Sequence, residues 1–284
     1  MSAALLLSIV LALTPTNEVA PARTTAAGIL DAALARDAST PEADLVLLRS
    51  AAGAAIDSLG TQRIATLIER DVLEARWQAA VDVTTAAAQL RADLTRFASD
   101  LRFEPLMEAP QPPGFPEPTP IHEIRLTSYP SYRLAYADMA GSSDGSAFFK
   151  LFRHIQSNDI KMTAPVEVTF DAERMQQTRM AFLYEGPTQG QVGDAGQVEV
   201  VDIPAMEVLS IGARGNDSRQ RIDSYHALLL EWIAGNPDYE VAGDMRTMGF
   251  NSPMVRGDRR FFEVQIPVRR VEVEPEAEPV IRQV

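Results

Sequence analysis

The sequence predicts an α+β protein, with an α-helical N-terminal region followed by a β-rich domain made of two similar halves. Apolar residues recur at helical spacing through the first region and at alternate positions through the second. The β-rich part also contains an internal repeat. Between the two regions, six prolines fall within the thirteen residues "EAPQPPGFPEPTP" at 108–120. We therefore predict two folded regions, residues 23–103 and 121–270, joined by a linker at 104–120.

Composition excludes several classes of function. The 284 residues include no cysteine, which removes disulfides, thiolate metal sites and cysteine nucleophiles. The three histidines are far apart in the chain, so local spacing predicts no transition-metal site. A formal net charge of −13 argues against a nucleic-acid backbone or an anionic membrane surface as the main partner. The predicted partners therefore include no nucleic acid.

The N-terminus carries an apolar run from Ala3 to Leu13. A bilayer-spanning helix needs about 20 apolar residues, so this run predicts a signal peptide at 1–22 instead. Ala20-Pro21-Ala22 has the small-x-small form of a cleavage site. No Lys or Arg precedes the apolar run, which leaves open the start of an N-terminal helix or an uncleaved anchor. We expect an exported protein, periplasmic or extracellular, or one tethered to a membrane by its N-terminus.

Residues 23–103 are rich in alanine and predict a helical hairpin or bundle. Thr40 and Pro41 are typical of an N-cap and a first helical turn, and Gly60-Thr61 marks a stop and a restart. We expect this region to act as a spacer or tether, or to form oligomers. Its apolar periodic positions include Ile29, Leu30, Leu34, Leu45, Leu48, Ile56, Ile64, Ile68, Val72, Leu90, Leu94, Phe97 and Leu101.

The proline-rich linker and the last residues are predicted without regular structure. Proline lacks an amide hydrogen and fixes its own backbone angle, so residues 104–120 should form a stiff, extended segment. Residues 271–284 form an acidic tail. Both predictions follow from composition alone.

The β-rich region contains a repeat with an offset of 74 residues, which aligns residues 129–141 with 203–215 and Pro130 with Pro204. Helices are predicted at 144–157 and 217–234. Each half then contains two strands, a helix and two strands, which predicts one pseudo-twofold domain around a shared core. A groove between helix and sheet is a natural small-molecule site.

Three segments of the β-rich region resemble the SOUL haem-binding protein family. They are "EIRLTSYPSYRLAYADM", "AFFKLFRHIQSNDIKMTAPVEVTF" and "NSPMVRGDRRFFEVQIPV", which occur in the family's order within about residues 120–268. The resemblance implies two β-β-α-β-β halves that form a distorted antiparallel barrel flanked by two helices. It also implies that haem or a related tetrapyrrole binds in an apolar groove beside the first helix, for sequestration or delivery and without catalysis.

Two other functions stay open. Similar folds serve as effector-binding domains of bacterial regulators, so the domain could bind another amphipathic small molecule or act in protein interaction. An enzyme that modifies tetrapyrroles ranks third. The sequence lacks the G-x-S-x-G, Walker and H-E-x-x-H motifs, so it offers little support for catalysis.

The resemblance implies a set of binding residues for a flat ligand with anionic propionates. Apolar residues of the first helix and two flexible methionines would meet the faces of the ring, namely Phe148, Leu151, Phe152, Ile155, Met162 and Met254. Basic residues would meet the propionates, namely Lys161, Arg259 and Arg260, with Arg153 and Arg256 as further candidates. Each also has a structural interpretation, in the core for the apolar residues and as solvated charge for the basic ones.

His154 is the candidate axial ligand of the haem iron because it lies beside the apolar face of the first helix. A lone histidine in such a place is more often a hydrogen-bonded structural residue than a metal ligand. Both interpretations stay open from the sequence.

Overall fold

The computed structural model describes residues 19–61, 63–139, 144–171 and 176–271. The chain divides into two compact units, residues 1–103 and 104–284. Most of the predicted signal peptide and nearly all of the acidic tail lie outside the described residues. None of the described helices has both the length and the apolar character needed to cross a membrane.

The first unit contains four helices in its described part. They are α1 (Val19–Leu34), α2 (Pro41–Leu59), α3 (Arg63–Ala79) and α4 (Val83–Leu101). The predicted N-cap of α2 is confirmed, because the Thr40 hydroxyl accepts a hydrogen bond from the Ala43 amide at 3.2 Å. Apolar side chains of all four helices, mostly alanine and leucine, form one buried core, which includes Leu30, Leu48, Ile68 and Leu94.

Two arginines bind the carboxyl ends of neighbouring helices in this unit. Arg23 on α1 is buried, and its guanidinium donates to the backbone carbonyls of Asp100 and Leu101 at the end of α4. Arg91 on α4 donates to the Leu34 carbonyl at 2.8 Å. Both cations satisfy carbonyls that lack a helical partner and complement the negative end of the helix dipole. The predicted cleavage site, residues 20–22, lies within α1.

The second unit joins two helices to a large antiparallel sheet, and the prediction of a mixed α+β protein is confirmed. The helix α5 (Asp144–Ser157) has the bounds that the sequence predicted. In chain order the elements are β1 (Ile124–Tyr129), β2 (Tyr132–Asp138), α5, β3 (Val166–Phe170), β4 (Gln177–Leu183), β5 (Gly193–Asp194), β6 (Glu199–Ile203), β7 (Met206–Arg214), α6 (Arg219–Ala234), β8 (Tyr239–Val241), β9 (Arg246–Gly249) and β10 (Phe261–Arg270).

The sheet is open, and the expected distorted barrel is wrong. Its strands follow the order β1-β7-β10-β9-β3-β4-β2-β6-β5, with β8 paired to β10. A barrel needs its two edge strands to pair. In the described residues β1 pairs only with β7, and the two-residue β5 at the other edge pairs only with β6.

Both helices pack on one face of the sheet. Ala147, Leu151 and Ile155 of α5, and Ile222 and Leu229 of α6, join alternate residues of the central strands in the main core. The opposite face is covered in part by residues 104–121, which we call the strap. The strap contains the predicted linker, and its Pro112 and Thr119 are buried against this unit.

Candidate functional site

The surface of α5 is the first candidate, because the sequence placed four ligand-contacting residues on this helix. Leu151 and Ile155 are 0% and 4% exposed and belong to the core beneath the helix. Phe148 and Phe152 are half-buried and pack on the same core from its edge. The structure therefore leaves the two phenylalanines, and neither aliphatic residue, available to a ligand.

Three aromatic side chains form a continuous stripe along α5. The Phe148 and Phe152 rings are stacked with their centroids 6.1 Å apart, and the Phe149 ring meets Phe148 edge-on at 6.3 Å. Phe148 is fixed from below by an edge-on contact with Phe182 of β4 at 5.1 Å. Phe149 is 62% exposed, which is unusual for a large apolar side chain on an otherwise packed helix. We call Phe148, Phe149 and Phe152 the aromatic stripe.

Two cations flank the aromatic stripe. Lys150 is half-buried and Arg153 is exposed, three residues apart on α5 and so on adjacent turns of one side. Within the part of the chain that the structure describes, neither side chain has a hydrogen bond or an ion pair. Phe149 and Lys150 were missing from the predicted binding set. Helical spacing was the signal that could have found them, because Phe149 precedes Phe152 by three residues and Lys150 precedes Arg153 by three.

His154 lies on α5 with its ring nitrogens engaged. Its Nε2 is 2.7 Å from the Tyr184 hydroxyl, and the two rings stack at 6.3 Å between centroids. Its Nδ1 is 3.4 Å from the Asn158 amide. Burial lowers the pKa of the imidazole, which favours its neutral form. Nε2 could bind iron only after the hydrogen bond to Tyr184 breaks, so the geometry favours a structural histidine.

Met162 and Lys161 lie in the segment between α5 and β3. Met162 is half-buried and packs on the main core, while the exposed Lys161 ammonium is 3.6 Å from the Glu185 carboxylate. An ion pair between two exposed side chains is weak, so it would not prevent Lys161 from meeting another anion. Two neighbours fix this segment, since the Thr163 hydroxyl donates to the Leu183 carbonyl and the Ala164 amide donates to that of Pro110.

Met254, Arg259 and Arg260 lie in the loop before β10. Met254 is 91% exposed, and the Arg260 guanidinium is used by the loop itself, donating to the carbonyls of Val255 and Pro253. The adjoining Phe262 is separated from Phe182, beneath the aromatic stripe, by three strand spacings, or about 14 Å. The structure therefore does not join these three residues to the α5 surface.

The α5 surface combines flat apolar area with cations at its side. Aromatic rings pack well against a planar ligand, and Lys and Arg hold carboxylates by charge-assisted hydrogen bonds. No group of three acidic or histidine side chains that could hold a metal ion occurs among the described residues. The apolar rings and the cations together are the groups that a planar, amphipathic anion would require of a binding surface.

Comparisons with solved structures return distant matches. The C-terminal domain of EcmrR is 17% identical, with 52% of this chain and 98% of that chain covered and a TM-score of 0.39. An uncharacterized conserved protein from Listeria innocua is 11% identical, with 54% and 94% covered and a TM-score of 0.41. SAV2435 bound to tetraphenylphosphonium is 10% identical, with 52% and 94% covered and a TM-score of 0.34. TM-scores this low do not bear on the fold or the ligand of this chain.

Among curated proteins none matches the chain. A family model described as "SOUL heme-binding protein" does match, over residues 120–267, which is just over half of the chain. This range contains β1 to β9, all but the last three residues of β10, and both helices that pack on the sheet. It also contains all but the last residue of the three segments on which the sequence resemblance rested. The chain therefore belongs to the SOUL haem-binding protein family.

Proposed function

We propose that this protein binds haem or a related tetrapyrrole as cargo, with the ring packed on the aromatic stripe and its propionates held by Lys150 and Arg153. The observation that carries the proposal is the exposed Phe149 between half-buried aromatic neighbours and two cations without partners among the described residues. Membership of a haem-binding family supports the same ligand class.

The residues present fit such a ligand on physical grounds. A ligand that covers an exposed phenylalanine removes apolar surface from water, and complete burial contributes about 1.5–3 kcal/mol to the free energy of binding. The stripe is pre-ordered, since Phe148 is fixed against Phe182, so little side-chain freedom is lost on binding. Lys150 and Arg153 then distinguish a tetrapyrrole with propionates from an uncharged planar molecule. Bound haem would bring its own iron chemistry, and the chain's residues would only hold and orient the ring.

The same proposal includes a pseudo-twofold arrangement of the β-rich unit. Eight strands follow the order β1-β7-β10-β9-β3-β4-β2-β6 in the sheet. When β1, β2, β3 and β4 are exchanged with β6, β7, β9 and β10, the result is the same order counted from the opposite edge. The exchange also carries α5 onto α6, as the 74-residue repeat requires. This symmetry of topology supports two related halves, each with one helix. Only α5 carries the aromatic stripe, so we propose one tetrapyrrole per chain.

Haemin titration of the full chain, followed by absorption in the Soret region, tests this function. We expect saturable binding with a dissociation constant below about 10 μM. Phe149→Ser and the double change Lys150→Glu, Arg153→Glu should each weaken it about tenfold. Met254→Ala is the matched control, since it removes an exposed apolar side chain away from the stripe. Wild-type protein without a saturable change, or equal weakening by Met254→Ala, would contradict the proposal.

We also propose that the protein is exported. The apolar run from Ala3 to Leu13 and the small residues Ala20 and Ala22 support it. Fractionation of cells that express the full chain, with N-terminal sequencing of the product, tests this. A full-length product that stays with the cytoplasmic fraction would contradict export.

A further inference from the structure

The sheet face opposite α5 and α6 carries a buried polar cluster that the proposed tetrapyrrole site does not use. Alternation along the strands places its members on this face, and all of them are less than one-tenth exposed. They come from five different strands. The members of the buried polar cluster are Tyr129, Tyr132, Glu167, Arg246, Glu263 and Gln265.

Arg246 lies at the centre of the cluster. Its Nη1 donates to the Tyr132 hydroxyl at 2.5 Å and to the Glu167 carboxylate at 3.0 Å, and its Nε donates to Gln265 Oε1 at 2.9 Å. The guanidinium carbon is 5.1 Å from the centroid of the Tyr129 ring. One cation is thus held by a carboxylate, an amide, a hydroxyl and an aromatic face.

One nitrogen of this guanidinium stands apart from the others in the described part of the chain. Arg246 is 4% exposed, yet its Nη2 has no hydrogen-bond partner among the described residues. A buried charged donor without a partner is costly, and proteins rarely keep one without a use for it. An acceptor oxygen placed there would complete the hydrogen bonds of the group.

The second carboxyl of the cluster, Glu263, also has an uncommon environment. It accepts hydrogen bonds from the backbone amide of Thr119 at 2.5 Å and from the Gln265 amide at 2.6 Å. Burial raises the pKa of this carboxyl. A raised pKa favours the neutral form of Glu263, which lessens the repulsion that this carboxyl exerts on an incoming anion.

The strap covers the cluster with one aromatic ring. Phe115 meets Tyr129 and Tyr132 edge-on, with centroid distances of 4.9 and 5.2 Å. The guanidinium and the Phe115 ring therefore both adjoin Tyr129. Phe115 supplies the apolar ring that the two tyrosines pack against, but it has no oxygen for Arg246 Nη2.

Displacement of the strap would break hydrogen bonds at Leu106, Glu108, Pro110 and Thr119 but would not break the sheet. It has no strand, its six prolines from 110 to 120 lack amide hydrogens, and its single bridge to the sheet joins Ile121 to Gly212. The contact at Gly212 is close, since a Cβ built there would be 2.0 Å from the Thr119 carbonyl oxygen. A methyl group at this position would push the strap away.

We propose that this face is a second binding site, for a small aromatic carboxylate that replaces the strap. The ligand ring takes the place of Phe115 between Tyr129 and Tyr132, and its carboxylate accepts from Arg246 Nη2. The strap is then a tethered competitor that keeps the site closed until the ligand displaces it. The site does not depend on the tetrapyrrole proposal, because α5 lies on the other face of the sheet.

Calorimetric titration of the full chain with 2-naphthoate tests the proposal. Phe115→Ala and Gly212→Ala should each bind the probe about tenfold more tightly than wild type, since each weakens the competing strap. Thermal unfolding monitored by circular dichroism identifies any variant that does not fold, and the two variants act at different points of the strap. Equal affinity in wild type and in both folded variants would overturn the proposal.

Two controls test the assigned chemistry. 2-Naphthalenemethanol has the same ring without the charge and should bind Phe115→Ala much more weakly than 2-naphthoate. The double change Glu167→Gln, Arg246→Gln removes both charges, leaves no buried ion unpaired, and should abolish 2-naphthoate binding in the Phe115→Ala background. Equal binding of the alcohol, or retained binding in the triple variant, would refute the role of Arg246. Haemin should bind Phe115→Ala as it binds wild type, and competition between haemin and 2-naphthoate would refute two separate sites.

Discussion

His154 was the one candidate metal ligand, and its neighbours decide how that candidate is viewed. The sequence placed it beside an apolar helix face, but Tyr184 is thirty residues further along the chain, directly after the end of β4. The hydrogen bond between them occupies Nε2, and the Asn158 amide lies beside Nδ1. Burial disfavours the imidazolium and so lowers the pKa of His154 in the folded protein. The folded protein should therefore become less stable as the pH falls below about 6.5, the pKa of this histidine in the unfolded chain.

Substituting His154 should not change the way iron is held. We expect His154→Ala, loaded with haemin, to keep the wild-type Soret maximum, because its Nε2 is bonded to Tyr184. The absorption spectra of the ferric and ferrous forms give the comparison, with Asn158→Ala as the control for a neighbouring change. A shifted maximum in His154→Ala alone would identify the histidine as an axial ligand.

Arg246 leads to a prediction about stability. Arg246→Met leaves Glu167 buried without its cation, and such losses cost about 3 kcal/mol or more of the free energy of unfolding. Arg269→Met removes an arginine from an exposed pair with Glu240, for which about 1 kcal/mol is the upper expectation. Urea unfolding of the two variants tests the difference. Equally small losses of unfolding free energy in the two variants would mean that the buried ion pair stabilises the protein no more than the exposed pair does.

At the scale of the element, two glycines show how packing decides the effect of one methyl group. Gly53 lies on the exposed side of α2, and a Cβ built there has no neighbour within 4 Å. Gly53→Ala should stabilise the first unit by about 0.5–1 kcal/mol, because alanine restricts the unfolded chain and favours helix. Thermal unfolding of the full chain tests this. A lowered transition would indicate that this side of α2 is covered in solution.

Gly212 on β7 should give the opposite result. Its missing Cβ makes room for the strap backbone at Thr119 and Pro120, so Gly212→Ala should loosen the strap while the sheet remains paired. Hydrogen exchange should rise in residues 104–121 and stay at the wild-type level in β7 and β10. Gly53→Ala is the matched control for a glycine-to-alanine change elsewhere. Unchanged exchange in the strap would show that it adapts to the methyl group.

At the scale of the whole molecule, each of the two units has its own core. The main cluster of the second unit contains no residue of the first, and the helical cluster contains none of the second. Domains with separate cores usually fold alone. We expect a fragment of residues 104–284 to unfold cooperatively and to bind haemin as the full chain does. A fragment that aggregates or binds no haemin while the full chain does would assign part of the site to residues 1–103.

The sequence determined the elements and the family, because both depend on local pattern. Helical spacing predicted α5 with its observed bounds, and alternation predicted most of the strands. The two related halves that the 74-residue offset indicates stay a prediction. The three short strands β5, β8 and β9 were not located from the sequence, since two to four residues leave little periodicity to detect.

Tertiary structure decided what those elements leave exposed. Phe149 and Leu151 are both apolar residues of α5, and only packing places one in water and the other in the core. Long-range pairing likewise produces an open sheet where a barrel was expected, and the proline-rich strap packs on that sheet. The sequence did not predict that Arg246 is buried, because its burial depends on partners from β2, β3 and β10. Local pattern fixes the period of an element, whereas the identity of its neighbours is a property of the folded chain.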